Sequence, residues 1–177
     1  MVELREATPA DALDIAAVHV ESWQVGYRGL IPDDVLAGLS VESREQWWQQ
    51  TLSVPGLRGT LVAVQDTAVL GFVSVGADHE GDPTCGELYA IYLRPTSWRR
   101  GVGSALHAAA LARLRALGFD RASLWMLAGN ERALRFYRRL GWAEDGRRKV
   151  VDGPGGVRMD HRGLGRRLAP PVSGEPC

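Results

Sequence analysis

The chain is poor in the features that staple, anchor or charge a protein. Of its 177 residues only Cys85 and Cys177 are cysteines. They lie far apart and one ends the chain, so no disulfide framework is expected, and no C-x-x-C pair offers a metal or redox site. No apolar run approaches the length of a membrane span, and the opening MVELREATPA has no apolar signal core. These absences predict a cytoplasmic protein without membrane contact. Charge of one sign is missing as well. Lys plus Arg and Asp plus Glu are both 21, so the formal net charge is zero. Bulk attraction to nucleic acid or an anionic surface is therefore not expected. The four histidines, at 19, 79, 107 and 161, share no ligand spacing, which predicts no metal.

Two phosphate-loop signatures are also lacking. G-x-x-x-x-G-K-[ST] does not occur, and Gly101 and Gly103 are followed by Ser104, Ala105 and Leu106, so G-x-G-x-x-G is not completed. The next apolar strand, RASLWML, ends in Leu127 with Ala128 and Gly129 behind it, where a dinucleotide ribose would want an acid. Nucleotide hydrolases and NAD enzymes are excluded on these grounds.

What is present reads as an alternation of strands and helices. A short strand precedes a helix with Thr8 as cap, Pro9 in its first turn and an apolar stripe of Leu13, Ala16, Ala17, Val20 and Trp23. A short second helix follows Pro32, and a third, capped by Ser40, carries Trp47, Trp48 and Leu52 as anchors. After the turn SVPGLRG, the runs TLVAVQ and VLGFVSVG form a hairpin around Asp66. ELYAIYLRP is a further strand. The helix that starts near Gly101 buries Val102, Leu106, Ala110, Leu114 and Leu117 and ends at Gly118. RASLWML, a helix from Asn130 to Gly141, and a terminal hairpin around DGPGG complete the chain. The expected fold is a mixed, mostly antiparallel α/β sheet with helices on both faces and one central strand–helix–strand crossover. It is expected to be one domain over residues 1–163, with residues 164–177 a loose tail of low apolar content. The terminal hairpin offers strand edges through which a homodimer could pair.

Positive charge is local: Arg94, Arg99 and Arg100 form one cluster, and Arg132, Arg135, Arg138 and Arg139 another. At the helix start, unpaired backbone N–H groups and the helix dipole meet glycines that leave room for close approach. Arg99, Arg100 and the Ser104 hydroxyl add donors. The combination suits a phosphate or pyrophosphate. Read alone, it is equally a tight turn with solvated arginines.

Its surroundings decide between these readings. ELYAIYLRPTSWRRGVGSAL followed by LWMLAGNERALRFYRRLGW resembles the GCN5-related N-acetyltransferase (GNAT) family. That family's acetyl-CoA segment, [QR]-x-x-G-x-[GA], falls on Trp98 to Gly103, with Trp98 departing from the usual Gln or Arg. Its second motif is matched at Asn130, Ala133, Phe136, Tyr137 and Gly141. The resemblance implies acetyl-CoA as acyl-donor co-substrate and an amine acceptor. It implies that the pantetheine arm lies along the strand at Ile91, Tyr92 and Leu93. The pyrophosphate would be held by Arg99, Arg100, Gly101, Val102, Gly103 and Ser104. Asn130 would bond the cofactor through its amide, or serve as a plain helix cap. Tyr137, otherwise an ordinary amphipathic core residue, becomes the general acid for the leaving thiolate.

Acyl transfer to an amine also requires something to collect the ammonium proton. The strand that carries a Glu in some members has Trp125 instead. Glu87, acting through water, is the tentative base. Asp78, His79, Glu80 and Glu21 are alternatives, each otherwise a solvated surface charge, and solvent is another. The resemblance places acceptor choice in the segment from Trp23 to Leu39 and in the turn of the terminal hairpin, with Trp23, Tyr27 and Arg28 expected to line the site, Arg28 favouring a carboxylate-bearing acceptor unless it is a surface residue. The activity implied is direct acetyl transfer from CoA to a primary amine, protein α-amine or lysine or small molecule. The alternative is a catalytically weak acyl-CoA-binding regulatory module.

Overall fold

The computed structural model describes residues 1–54 and 59–168, so most of the expected turn SVPGLRG and residues 169–177 of the expected tail lie outside the described residues. Seven strands form one sheet in the order β1-β2-β3-β4-β5-β7-β6. They are β1 (Val2–Glu6), β2 (Gly59–Gln65), β3 (Ala68–Ala77), β4 (Cys85–Leu93), β5 (Arg121–Leu127), β6 (Ala143–Asp152) and β7 (Arg158–Arg167). Every neighbouring pair is antiparallel except β4 and β5, which are parallel and joined by a helix. That is the expected architecture, with its one crossover.

The helices are α1 (Ala12–Gly26), α2 (Asp33–Ala37), α3 (Val41–Ser53), α4 (Val102–Ala116) and α5 (Glu131–Arg139). Helices α4 and α5 pack on one face of the sheet through Leu106, Leu114, Leu134 and Tyr137. On the other, α1 and α3 bury Ile15, Val18 and Trp48 against Val62 and Phe72. Along α4 the expected face holds at Val102, Leu106, Ala110 and Leu114, which are buried, while Leu117, in the last turn before Gly118 (φ 90°), is only half-buried. Along α1 the expected stripe holds at Ala16 and Val20, but Leu13 is exposed, and the buried face extends to Ile15, Val18, His19 and Ser22. Before α1, Pro9–Asp11 forms a 3-10 turn. Asp11 closes that turn by accepting from the Thr8 backbone N–H at 2.8 Å and pairing with Arg5 at 2.6 Å. In α3, Trp48 is buried and Trp47 is half-exposed.

The expected domain boundary after residue 163 falls inside β7. Leu164 is fully buried opposite Leu124, the strand continues to Arg167, and the Leu168 N–H donates to the Asp120 carbonyl. A tail start was read from composition, but strand pairing carries polar residues such as Arg166 and Arg167 along with it.

Candidate active site

Strands β4 and β5 pair only from Cys85/Arg121 to Leu88/Leu124. Beyond that point they part. In β4, Leu88 lies opposite Val75 and Ala90 opposite Ser74, so Tyr89 is the extra residue of a β-bulge, which bends the strand. Strand β5 instead continues along β7 to Leu127. A cleft opens between the parted edges, walled by Leu88–Leu93 on one side and Trp125–Leu127 on the other.

Backbone groups alternate along an antiparallel strand. The Arg94 N–H donates to Leu70 of β3 at 2.8 Å, so the N–H groups of Ile91 and Leu93 face the cleft. Tyr92 turns its backbone to β3, which corrects the expectation that it binds there through the main chain. The Leu93 carbonyl is already taken: it accepts from the Ser22 hydroxyl at 2.6 Å and the Trp98 indole at 3.1 Å.

The base of the cleft is the start of α4. Its N-cap, Gly101, is left-handed (φ 82°) and supplies no side-chain cap. The first helical N–H groups, at Val102, Gly103 and Ser104, are therefore open to a ligand. A Cβ on Gly103 would sit 3.5 Å from Leu93 and Phe136, in the cleft itself. Arg99, also at positive φ (62°), lines the cleft beside Gly101, Gly103 and Ser104. Arg100 is exposed outside it, and the Val102 side chain points into the core, leaving that residue only its N–H at the site.

Helix α5 supplies the other wall. Asn130 Oδ1 caps the helix by accepting from the Ala133 N–H at 3.1 Å, and the residue lines the cleft. Tyr137 is buried against Phe136 and Trp142, and burial pushes its phenol well above its usual pKa, so it keeps its proton. The Arg132 guanidinium stacks 3.6 Å from the Trp98 ring centre. Gly26 makes room for it, since a Cβ there would lie 2.8 Å from Arg132 Nη2. Where the family's segment has Gln or Arg, this chain has Trp98 carrying an arginine from another helix. Trp125 Nε1 is buried without a partner, and no carboxylate is among the cleft-lining residues. Unfilled backbone and indole N–H groups and two arginines suit an extended amide arm ending in a diphosphate.

A second cavity, of about 800 Å³, opens on the other side of the bulge and shares Tyr89, Ala90 and Tyr92 with the first. Trp23, Trp47 and Trp48 form one wall, and the turn from Asp152 to Pro154 forms another. His19 stacks on Tyr92 (4.8 Å between ring centres), and its Nδ1 accepts from Trp48 Nε1 at 3.3 Å. Burial, with Arg44 nearby, lowers its pKa to about 3, so it stays neutral. Arg44 is half-buried on the cavity wall, with no carboxylate within ion-pair distance among the described residues.

Of the expected acceptor residues, Trp23 lines this cavity, while Tyr27 lines the first and bonds the Tyr92 hydroxyl at 3.2 Å. Arg28 lines neither: α1 has ended at Gly26 and the chain turns there with Arg28 exposed. Glu87 lies in the paired part of β4 opposite Ser123 and lines neither cavity. Its buried Oε2 faces His79, accepting from the backbone N–H at 3.1 Å and lying 2.9 Å from Nδ1. It is not a free base. Glu80 and Glu21 are paired with Arg147 and Arg94, and Asp78 accepts from Ser123 Oγ at 3.1 Å. Among the described residues no three His, Cys, Asp or Glu side chains are grouped to hold a metal. No described helix is long and apolar enough to cross a membrane.

A parallel pair splayed at a bulge, above an uncapped glycine-led helix, defines an acyl-CoA-type cleft in a mixed sheet. The family model of the acetyltransferase (GNAT) family matches residues 22–142, and the chain belongs to that family. It is an acetyltransferase, with acetyl-CoA as acyl-donor co-substrate. A Bacillus subtilis relative, the uncharacterized N-acetyltransferase YuaI, is 39% identical over 73% of this chain and 74% of its own length. The mycothiol acetyltransferase of Mycobacteroides abscessus is 32% identical over 76% of this chain, which spans only 43% of that protein. A Thermoplasma acidophilum N-acetyltransferase solved with coenzyme A has the same fold, with a TM-score of 0.70 at 20% identity, over 94% of this chain and 99% of that one.

The sequence reading did not place Tyr89, Arg132, Arg44 and His19 in these cavities, while Trp48, expected as an apolar anchor, is buried and also lines one. Only Tyr89 had a signal there, an extra large residue in an alternating strand; the others are assembled by packing.

Proposed function

We propose that this acetyltransferase moves the acetyl group directly from CoA to a primary amine, with donor and acceptor entering from opposite sides of the β4 bulge. The observation that carries this reading is that the two cavities meet at Tyr89, Ala90 and Tyr92. In the donor cleft, Ile91 and Leu93 hold the extended arm through their N–H groups. Arg99, Gly101, Gly103, Ser104 and the Val102 N–H hold the diphosphate, with Arg100 contributing charge from outside. Asn130 contributes its amide NH₂. Tyr137 is the general acid: its phenol lines the donor cleft in protonated form and supplies a proton to the sulfur as the carbon–sulfur bond breaks.

The acceptor cavity has the volume of a small-molecule pocket. Its aromatic walls suit an apolar body, and the unpaired Arg44, rather than Arg28, favours a carboxylate on the acceptor. A half-buried guanidinium is better solvated by an anion than left alone. A small amine is thus favoured over a protein terminus. Thiol release from acetyl-CoA is the test, run over free amino acids, their decarboxylated counterparts, polyamines and short peptides. Amine-dependent release, fastest with carboxylate-bearing small amines, is the expected result. CoA binding without release for any acceptor would replace the reading with a CoA-binding regulatory module.

A further inference from the structure

Resting on that reading, we infer that His79 is the catalytic base that takes the proton from the acceptor ammonium, and that Glu87 is its positioning residue. His79 lines the acceptor cavity next to Tyr89, with 4.5 Å between ring centres. The ring is held from behind. Glu87 Oε2 lies 2.9 Å from Nδ1 and also accepts from the His79 backbone N–H, so one buried carboxylate fixes both ends of the residue. An ionised carboxylate takes a proton donated from Nδ1, which leaves the Nε2 lone pair as the ring's acceptor. The loop is fixed too. Buried Asp78 accepts from the N–H groups of Glu80 and Asp82 and from Ser123 of β5. The Tyr89 hydroxyl donates back to the Ala77 carbonyl.

The other three histidines are committed elsewhere. His19 and His107 each accept from a tryptophan indole, and burial lowers them to about 3 and about 4. His161 is bonded to the Met159 carbonyl on β7. Among residues lining the acceptor cavity, the remaining carboxylate is Asp152, on the β6–β7 turn. His79 contacts Glu87 and Tyr89 from β4; Asp152, at the end of β6, lines the same cavity, and Glu80, next to His79 in the loop, is paired with Arg147.

The proton balance is simple. His79 Nε2 takes one proton from the ammonium and passes it to solvent. The freed nitrogen pair forms the bond to the carbonyl carbon, and the carbon–sulfur pair leaves on sulfur, where Tyr137 donates its proton. The surplus proton on the new amide nitrogen goes to solvent, from which the phenol is refilled.

The test uses the full chain and the most active acceptor of the amine panel. His79→Ala is expected to lower kcat on the order of 100-fold or more, to remove the acid limb of the kcat–pH profile, and to leave CoA affinity unchanged. Added imidazole should restore part of the rate. Glu87→Gln, which keeps an acceptor opposite Nδ1 but removes the charge, should shift the acid limb and lower kcat less. If His79→Ala retains wild-type rate and pH profile, the inference is overturned while amine acetylation stands. If Asp152→Asn, and not His79→Ala, removes the limb, the base is Asp152. If the wild type acetylates no amine, both readings fall, and CoA binding alone remains.

Discussion

The two cavities are built in different ways. The donor cleft is lined mainly by two short contiguous stretches, Leu88–Ser104 and Trp125–Arg139, with Ser22, Gly26 and Tyr27 added from the end of α1. The acceptor cavity gathers side chains from α1, α3, the loop after β3 and the β6–β7 turn against residues of β3, β4 and β7. The difference is also one of capping. Helix α4 starts on a bare glycine and leaves its N–H groups open to a ligand, while α5, one strand further along the chain, starts on Asn130, whose side chain takes one of its donors. A diphosphate arm is the same for every member of a family, so a fixed run of backbone can serve it. An acceptor differs from member to member, and side chains on separate elements can change independently.

Substitutions should separate the two sides. The largest effect is expected at Gly103→Glu, which puts bulk and negative charge where the helix N–H groups converge. CoA binding by calorimetry should become undetectable, and unchanged affinity would remove the diphosphate from that site. Tyr137→Phe comes next. It should lower turnover on the order of 100-fold with CoA affinity nearly constant, and full activity would strip Tyr137 of its role as acid.

A smaller effect is expected in stability, on the acceptor side alone. Asp11 holds the start of α1 to Arg5, and the Arg5 guanidinium, against a burial penalty, keeps its pKa near 2. A folded pKa below the unfolded one stabilises above the unfolded value, and that stabilisation is lost as pH falls towards 2. Asp11→Asn should therefore cost about 1 to 2 kcal/mol at neutral pH, discounted because Arg5 is partly exposed, and almost nothing near pH 2. Denaturant melts at the two pH values measure it. A pH-independent cost would show that the side chain acts only as a cap. The smallest effects distinguish two arginines. Arg44→Gln should raise KM several-fold for carboxylate-bearing amines and not for their decarboxylated counterparts, whereas Arg28→Ala should change neither; the reverse pattern would move the carboxylate site to Arg28.

The same contrast explains what was legible in the sequence. Strand order, the crossover and the glycine-led helix follow from local patterning and short motifs, so the donor cleft was readable as Ile91 to Ser104 with Asn130 and Tyr137. Its exceptions are instructive. Tyr92 turns its backbone away because hydrogen-bonding direction alternates, and Arg100 and Val102 fall on the wrong sides of a helix start. Arg132 reaches the cleft from α5 and stacks on Trp98, a contact that no linear motif encodes. On the acceptor side the segments were readable, since Trp23, Gly38, Leu39 and the turn of the terminal hairpin line that cavity, but most of its single side chains were not. The buried face of α1 took in Ile15, Val18 and Ser22 in place of Leu13, Arg28 faced outward, and Glu87 proved to be buried behind His79. Each depends on packing between elements distant in the chain.

The central claim is that acetyl passes directly between two cavities that meet at one bulge. The chain has one described cysteine, Cys85, and it is buried, with its thiol pKa raised by burial, so it is no acyl carrier. Initial rates measured over a grid of acetyl-CoA and acceptor concentrations test the claim most directly. Intersecting double-reciprocal lines, the signature of a ternary complex, are the expected result; parallel lines, the signature of a covalent acetyl-enzyme, would contradict it.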